Sequence, residues 1–281
     1  MSISTWVRRL RVAASFAVIA GTLAVMAFAG YWVASGGRWF IVRTPSMGTA
    51  APVGTLLWVK PVDFVDLHRG EMITFRPPGL HTTYSHRIFS VNADGTLSTK
   101  GDANGSSDPW RLHASDVVGE VTSRWWGVGW LVRALPLLVV GGAALTLLVR
   151  RCTAPRWRLP ASVLGAAFLA SLSIYLFRPL VGAQQVSALP TDNGARATYI
   201  STGLFPLRLE ASGGQHVDLR SGQMGTVRTT AKNANGKFAI DLHPLIPLWC
   251  WVALIAVCFL PAFWATYFRG GNGQRPRHRA A

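Results

Sequence analysis

The sequence predicts an α+β membrane protein in which four transmembrane helices alternate with two outer β-rich segments. Half of the 281 residues are hydrophobic and only 14% are charged, which is a low charged fraction for a soluble protein. Four apolar stretches approach or exceed the roughly 20 residues that cross a bilayer. Charged residues are distributed unevenly between these stretches, in the manner expected of alternating crossings.

The apolar stretches define the predicted helices, at residues 12–34, 127–149, 159–177 and 245–268. The first stretch has an alternative interpretation as a cleavable secretion signal, because Arg residues precede it and it contains the small-x-small pattern Ala27-Phe28-Ala29. Its length of roughly 23 residues favours an uncleaved membrane anchor.

Basic residues are concentrated in three of the five segments outside the predicted helices. The segments 1–11, 150–158 and 269–281 contain no acidic residue. In contrast, 35–126 has eight acidic and nine basic residues, and 178–244 has four and seven. Because basic residues beside transmembrane segments are retained in the cytoplasm, the three Arg-rich segments are predicted to be cytoplasmic and the two balanced ones extracytoplasmic.

The formal net charge of +16 is therefore mostly a topology signal. We expect the lipid bilayer as the partner of these basic segments, and no nucleic acid. The predicted location is the cell membrane, as a multi-pass protein with both termini in the cytoplasm.

The first balanced segment, 35–126, is predicted to form a compact β-rich domain. It contains short runs with the composition of strands, separated by Pro and Gly turns. These runs are Thr55–Val59, Met72–Phe75, His86–Val91 and Val117–Val121. Loops on such a scaffold commonly carry catalytic side chains, and the polar run 101–109 is loop-forming.

One set of residue types in this domain suits acyl transfer. A serine hydroxyl needs a neighbouring base to attack a carbonyl, and histidine suits that role near neutral pH. An aspartate that accepts a hydrogen bond from the histidine would hold the ring in the correct tautomer. The candidates are Ser46, His86, Asp102 and Asp108. For either aspartate, a turn residue that bonds its own backbone is the alternative.

The order of short motifs in this region resembles the signal peptidase I family, in particular its archaeal and endoplasmic-reticulum branch. The resemblance covers roughly residues 10–150 and is carried by TPSM, VGTLLWVKP, RGEMITFRP, SHRI, TKGDANGSSDP and VVGEV. It implies Ser46 as nucleophile and His86 as general base, where the bacterial branch has a lysine. The chain departs from the family's Ser-Gly-Ser-Met at Thr44-Pro45, but it keeps Ser46 and Met47.

The resemblance also implies supporting roles. Thr44, two residues before the nucleophile, would stabilise the oxyanion together with the backbone N–H of Ser46. Both aspartates match acidic positions of the family's motif, and we rank Asp108 ahead of Asp102 as the partner of His86. Lys100 is an alternative base only if it is buried. No cofactor and no metal are expected.

The implied activity is a membrane-bound serine endopeptidase that removes signal peptides from secretory preproteins at the outer membrane surface. Its expected partners are those preproteins and the bilayer, with the protein-translocation machinery as a further candidate. Two alternatives remain open. One is a processing protease dedicated to one or a few surface or matrix proteins, and the other is a non-catalytic membrane scaffold.

The second balanced segment, 178–244, is predicted to be a small extracytoplasmic β module without a catalytic set. Its strand-like runs are ATYIS, FPLRLEA, HVDL and FAIDL. With about 65 residues, its core would be marginal alone. It is either a spacer or a module that binds substrate or a partner.

Overall fold

The computed structural model describes residues 3–178, 180–191, 194–212, 215–230, 232, 240–253, 255–256 and 259. These residues form a mixed α/β structure that is mainly β-rich. The chain divides into two compact units. The first combines Met1–Val42 with Leu56–Trp125, and the second combines Arg43–Thr55 with Trp126–Ala281.

The first unit is a helix followed by a six-stranded antiparallel sheet. The helix is α1 (Ile3–Ala34), and the strands are β1 (Arg38–Ile41), β2 (Leu56–Lys60), β3 (Met72–Phe75), β4 (Tyr84–Val91), β5 (Leu97–Lys100) and β6 (Val117–Trp125). Their order in the sheet is β1-β2-β6-β3-β4-β5. Strand β6 therefore lies between β2 and β3, although it comes last in the chain, and every pair is antiparallel.

The core of this unit lies under strands β3, β4 and β5. Alternate residues of each strand face it, because successive side chains of a strand point to opposite faces. Six hydrophobic side chains with at most 4% exposure form the cluster: Leu67, Ile73, Phe75, Ile88, Leu97 and Leu112. This packing holds β4 and β5 in a defined register, with Ile88 opposite Thr99.

The described part of the second unit includes two long helices and six strands. They are α2 (Val128–Cys152), α3 (Arg158–Phe177), β7 (Ala183–Thr191), β8 (Gly194–Ser201), β9 (Leu207–Ala211), β10 (His216–Leu219), β11 (Met224–Thr229) and β12 (Ile240–Pro244). The strands form two three-stranded antiparallel sheets, in the orders β10-β9-β12 and β11-β8-β7. We call residues 183–244 the second β module. Its buried core consists of Leu207, Leu209, Ala211, Leu219 and Val227.

Helices α2 and α3 pack closely through glycine. A methyl group at Gly141 would lie 2.6 Å from Leu169, and one at Gly165 would overlap Leu145. Small residues that allow this approach are typical of helix pairs in membranes. Only 11% of the apolar window of α2 and 6% of that in the 155–177 stretch is buried.

The prediction of an α+β membrane protein with four transmembrane helices is wrong for the described chain. Two helices in the described residues are long and apolar enough to cross a bilayer, Val128–Cys152 and Pro155–Phe177. In α1, the apolar stretch of described residues is Ile19–Ala34, which is shorter than a bilayer span. Half of the predicted helix at 245–268 lies outside the described residues, and residues 248–253, 255–256 and 259 are helical. Apolar composition alone can overcount spans, because a signal sequence or the core helix of a soluble protein gives the same pattern.

The four strands predicted in 35–126 are present, with shifted ends in three of them. The prediction omitted β1, β5, β7 and β11. All four lie at an edge of their sheet. An edge strand pairs on one side only and tolerates polar residues, as in the AQQVSALPT sequence of β7, so its hydrophobic alternation is weak.

Candidate active site

His86 is a buried histidine on a strand that is paired on both sides, with β3 and β5. It lies on β4, opposite Ile73 of β3, and is only 4% exposed. The edge of its ring faces Phe75 and Tyr84, with both ring centroids 6.1 Å away. The imidazole is therefore packed beside two aromatic rings in the buried part of the first unit.

Asp108 is the carboxylate that contacts this histidine. Its Oδ2 lies 2.7 Å from His86 Nδ1, and the two side chains are 7% and 5% exposed. The backbone places it there, because the N–H of Asp108 donates to the carbonyl of Thr99 at 2.8 Å and so returns the polar loop to β5. A buried carboxylate with a hydrogen-bonded ring nitrogen is the arrangement that fixes a histidine tautomer.

Thr99 completes this hydrogen-bonded chain, and the sequence did not identify it. Its hydroxyl donates to the same Oδ2 of Asp108 at 2.6 Å, and the residue is fully buried. Because a carboxylate accepts hydrogen bonds, this geometry suits the tautomer in which His86 Nδ1 donates to Asp108 and Nε2 is the acceptor nitrogen. In the sequence, Thr99 is a polar residue within a short strand-like run. Its role as a hydrogen-bond donor follows only once Asp108 lies next to it.

Asp102 has a different partner. Its two carboxylate oxygens accept from Nε and Nη2 of Arg87 at 2.9 and 2.7 Å, and Arg87 Nη1 donates to the carbonyl of Gly70 at 2.7 Å. The hydrogen bonding of Arg87 to Asp102 is the main cause that raises the pKa of Arg87. Asp102 therefore anchors Arg87, which follows His86 in the chain and lies on the opposite side of β4.

Lys100 does not occupy the buried environment that a lysine base needs. It follows Thr99 on the opposite face of β5, and its ammonium donates to the carbonyl of Gly105 at 3.4 Å in an exposed bond. The histidine is thus the better placed base in the first unit.

Ser46 lies in a short 3-10 helical segment, Pro45–Ala50, that follows the extended residue Thr44. Pro45 begins the segment, as is common because its fixed φ suits the first helical position. The hydroxyl oxygens of Thr44 and Ser46 are 3.4 Å apart. Two residues later, Gly48 adopts φ 52° and ψ −132°, a conformation available essentially only to glycine.

The predicted site residues thus fall into two groups. His86, Asp108 and Asp102 belong to the first unit, and Thr44 and Ser46 belong to the second. Within the described residues, no group of three or more His, Cys, Asp or Glu side chains is arranged to hold a metal ion.

The chain matches no protein-family model, and no curated protein matches it in sequence. The motifs of the chain and the contacts within each of its two residue groups are the observations that bear on its function.

Proposed function

We propose that this protein is a membrane-bound serine endopeptidase of the signal peptidase I type. It would cleave N-terminal signal peptides from secretory preproteins, with Ser46 as nucleophile and His86 as general base. The observation that carries the proposal is the buried chain from Thr99 through Asp108 to His86, with bonds of 2.6 and 2.7 Å.

This chain has the properties that a general base requires. The charge of Asp108 stabilises the imidazolium that forms when His86 takes a proton, and burial of both side chains strengthens that interaction. A second buried donor, Thr99, also holds the carboxylate, so two hydrogen bonds fix the position of the group that orients His86.

The reaction follows from these roles. His86 Nε2 takes the hydroxyl proton of Ser46 as its Oγ attacks the scissile carbonyl. The resulting oxyanion is stabilised by the hydroxyl of Thr44 and the backbone N–H of Ser46. His86 then donates its proton to the leaving amine, which breaks the peptide bond and leaves an acyl-enzyme. Water, activated by His86, hydrolyses the ester and restores Ser46.

Two features support a membrane location for this chemistry. Helices α2 and α3 are apolar and expose most of their side chains, in contrast to the core helices of a soluble protein. The link between them carries Arg150, Arg151, Arg156 and Arg158 and no acid, which favours the cytoplasm for that link. The β-rich parts would then lie on the outer side, where a translocated preprotein presents its cleavage site.

The proposal is tested with the full-length protein in detergent and a preprotein that carries a signal peptide. We expect Ser46→Ala and His86→Ala each to lower kcat by about 10³-fold or more, because each removes a group that acts in the transition state. Mass spectrometry of the products identifies the cleaved bond.

Ser187→Ala and His81→Ala are matched controls, since both residues are exposed and lie outside the proposed machinery. They should cleave at the wild-type rate. Wild-type cleavage by the Ser46 and His86 variants would refute the enzymatic proposal in favour of a scaffold. Cleavage of only one or a few surface proteins in a preprotein panel would replace the general peptidase with a dedicated one.

A further inference from the structure

Residues Arg43–Thr55, which we call the Ser46 segment, pack against a turn of the second β module. Within the second unit, Gly222 lies so close to this segment that a methyl group on it would overlap the carbonyl oxygen of Gly48. The same methyl would lie 2.7 Å from the carbonyl carbon of Gly48 and 3.0 Å from Pro52. All three residues are buried. The contact is therefore between backbone and backbone, two residues after Ser46.

The turn that bears Gly222 is held rigidly by hydrogen bonds. The N–H of Gly222 donates to the carbonyl of Ser201 at 2.8 Å, and the N–H of Ser201 donates to the carbonyl of Gln223 at 3.0 Å. Gln223 closes the turn on Arg220 twice. Its N–H donates to the Arg220 carbonyl at 2.9 Å, and its side-chain oxygen accepts from the Arg220 N–H at 3.1 Å. The turn thus takes its position from the end of β8.

The other end of the Ser46 segment is also fixed within the second unit. The N–H of Gly129, in the first turn of α2, donates to the carbonyl of Gly54 at 2.9 Å, and the Trp130 ring fills the space where a Gly54 side chain would lie. The indole N–H of Trp126 donates to the hydroxyl of Ser221 at 3.2 Å, which ties the Gly222 turn to the residues just before the same helix.

We propose that the second β module is a brace, meaning a rigid support that positions the nucleophile. Gly222 is the positioning residue. Its close contact sets the backbone of Gly48 and hence the direction of the Ser46 hydroxyl. The inference rests on the proposed function, because it gives the module a role in the same site. This role differs from that of a spacer or a binding module. A brace changes the rate of the chemical step, and a binding module changes substrate affinity. A displacement near 1 Å can lower the rate of an oriented reaction about a hundredfold.

The experiment compares Gly222→Ala with Gly79→Ala. Both glycines have φ +74°, so alanine introduces the same backbone strain at both, but nothing lies within 4 Å of a methyl at Gly79. In the preprotein assay we expect Gly222→Ala to lower kcat about tenfold or more with KM within about twofold of wild type. Gly79→Ala should keep both constants within about twofold.

A second variant covers the case in which Gly222→Ala does not fold. Gln223→Ala adds no atoms and removes the side-chain bond to the Arg220 N–H, which loosens the turn. We expect a severalfold fall in kcat, an unchanged KM and a melting temperature close to that of wild type. Three outcomes would each overturn the brace. They are equal kcat values for Gly222→Ala and Gly79→Ala, a rise in KM alone for Gly222→Ala, and wild-type kinetics of Gln223→Ala.

Ser46→Ala in the same assay separates this proposal from the proposed function. If Ser46→Ala is inactive while Gly222→Ala matches Gly79→Ala, the brace fails and the peptidase stands. If Ser46→Ala is fully active, the peptidase proposal fails, and the brace fails with it.

Discussion

Replacement of Asp108 by asparagine tests the role of the buried carboxylate without changing its size. The variant removes a negative charge that lies next to His86, with 2.7 Å between Oδ2 and Nδ1 and almost no exposure to solvent. At an effective dielectric of about 20 and a charge separation of roughly 4 Å, the lost stabilisation of the imidazolium is about 4 kcal/mol. Since about 1.4 kcal/mol corresponds to a factor of ten, kcat should fall about a thousandfold.

Asp102→Asn is the matched control. It makes the same chemical change six residues earlier, at a side chain that is 28% exposed and bridges Arg87. A partly exposed ion pair contributes about 1 kcal/mol or less, and an amide oxygen can still accept one bond from Arg87. We therefore expect kcat to fall less than about fivefold.

Both variants are assayed by single-turnover cleavage of the preprotein, with melting temperatures to confirm that each is folded. The Nδ1 proton of His86 offers a spectroscopic readout, because its low-field NMR signal should shift in Asp108→Asn and persist in Asp102→Asn. A larger loss of rate in Asp102→Asn than in Asp108→Asn, with both proteins folded, would refute the reasoning from the buried chain.

Two further predictions concern hydroxyl groups. Thr44→Val should lower kcat on the order of a hundredfold with little change in KM, because one oxyanion donor is lost; exposed Thr49→Val is the control, and an unchanged rate of Thr44→Val would exclude the role. Thr99→Val should lower kcat about tenfold to a hundredfold, because a hydrogen bond to the buried Asp108 carboxylate is lost. Thr99→Ser should retain most activity, and equal losses in Thr99→Val and Thr99→Ser would assign Thr99 to packing alone.

The strands of the first unit illustrate how much of the fold is predicted by sequence patterns. Met72–Phe75 was predicted with its observed bounds, because four consecutive buried residues give a clear apolar run between turns. The edge strands β1 and β5 were omitted, since each is four residues long and pairs on one side only. The helix count was also wrong, since two described helices are long and apolar enough to cross a bilayer. Apolar composition does not distinguish a spanning helix from a signal sequence or a core helix.

The two aspartates show what sequence could not resolve. Asp102 and Asp108 lie in one Gly/Ser-rich loop, and both match the same motif equally well. The loop returns to β5 through the bond from the Asp108 N–H to Thr99, so Asp108 turns inward while Asp102 turns outward to Arg87. Neither bond has a signature in the sequence, because each depends on which residues the loop brings together.

The sequence by itself determined the chemical types of the candidate residues and their order along the chain. A serine, a histidine, a threonine and two aspartates in short motifs suffice to suggest acyl transfer, because reactivity follows from side-chain chemistry. Only the tertiary structure decided that Thr99 and Asp108 support His86, and that Gly222 packs against the segment that carries Ser46. Those contacts join residues 9 to 174 positions apart, and their energies depend on burial and distance, which exist only once the chain has folded.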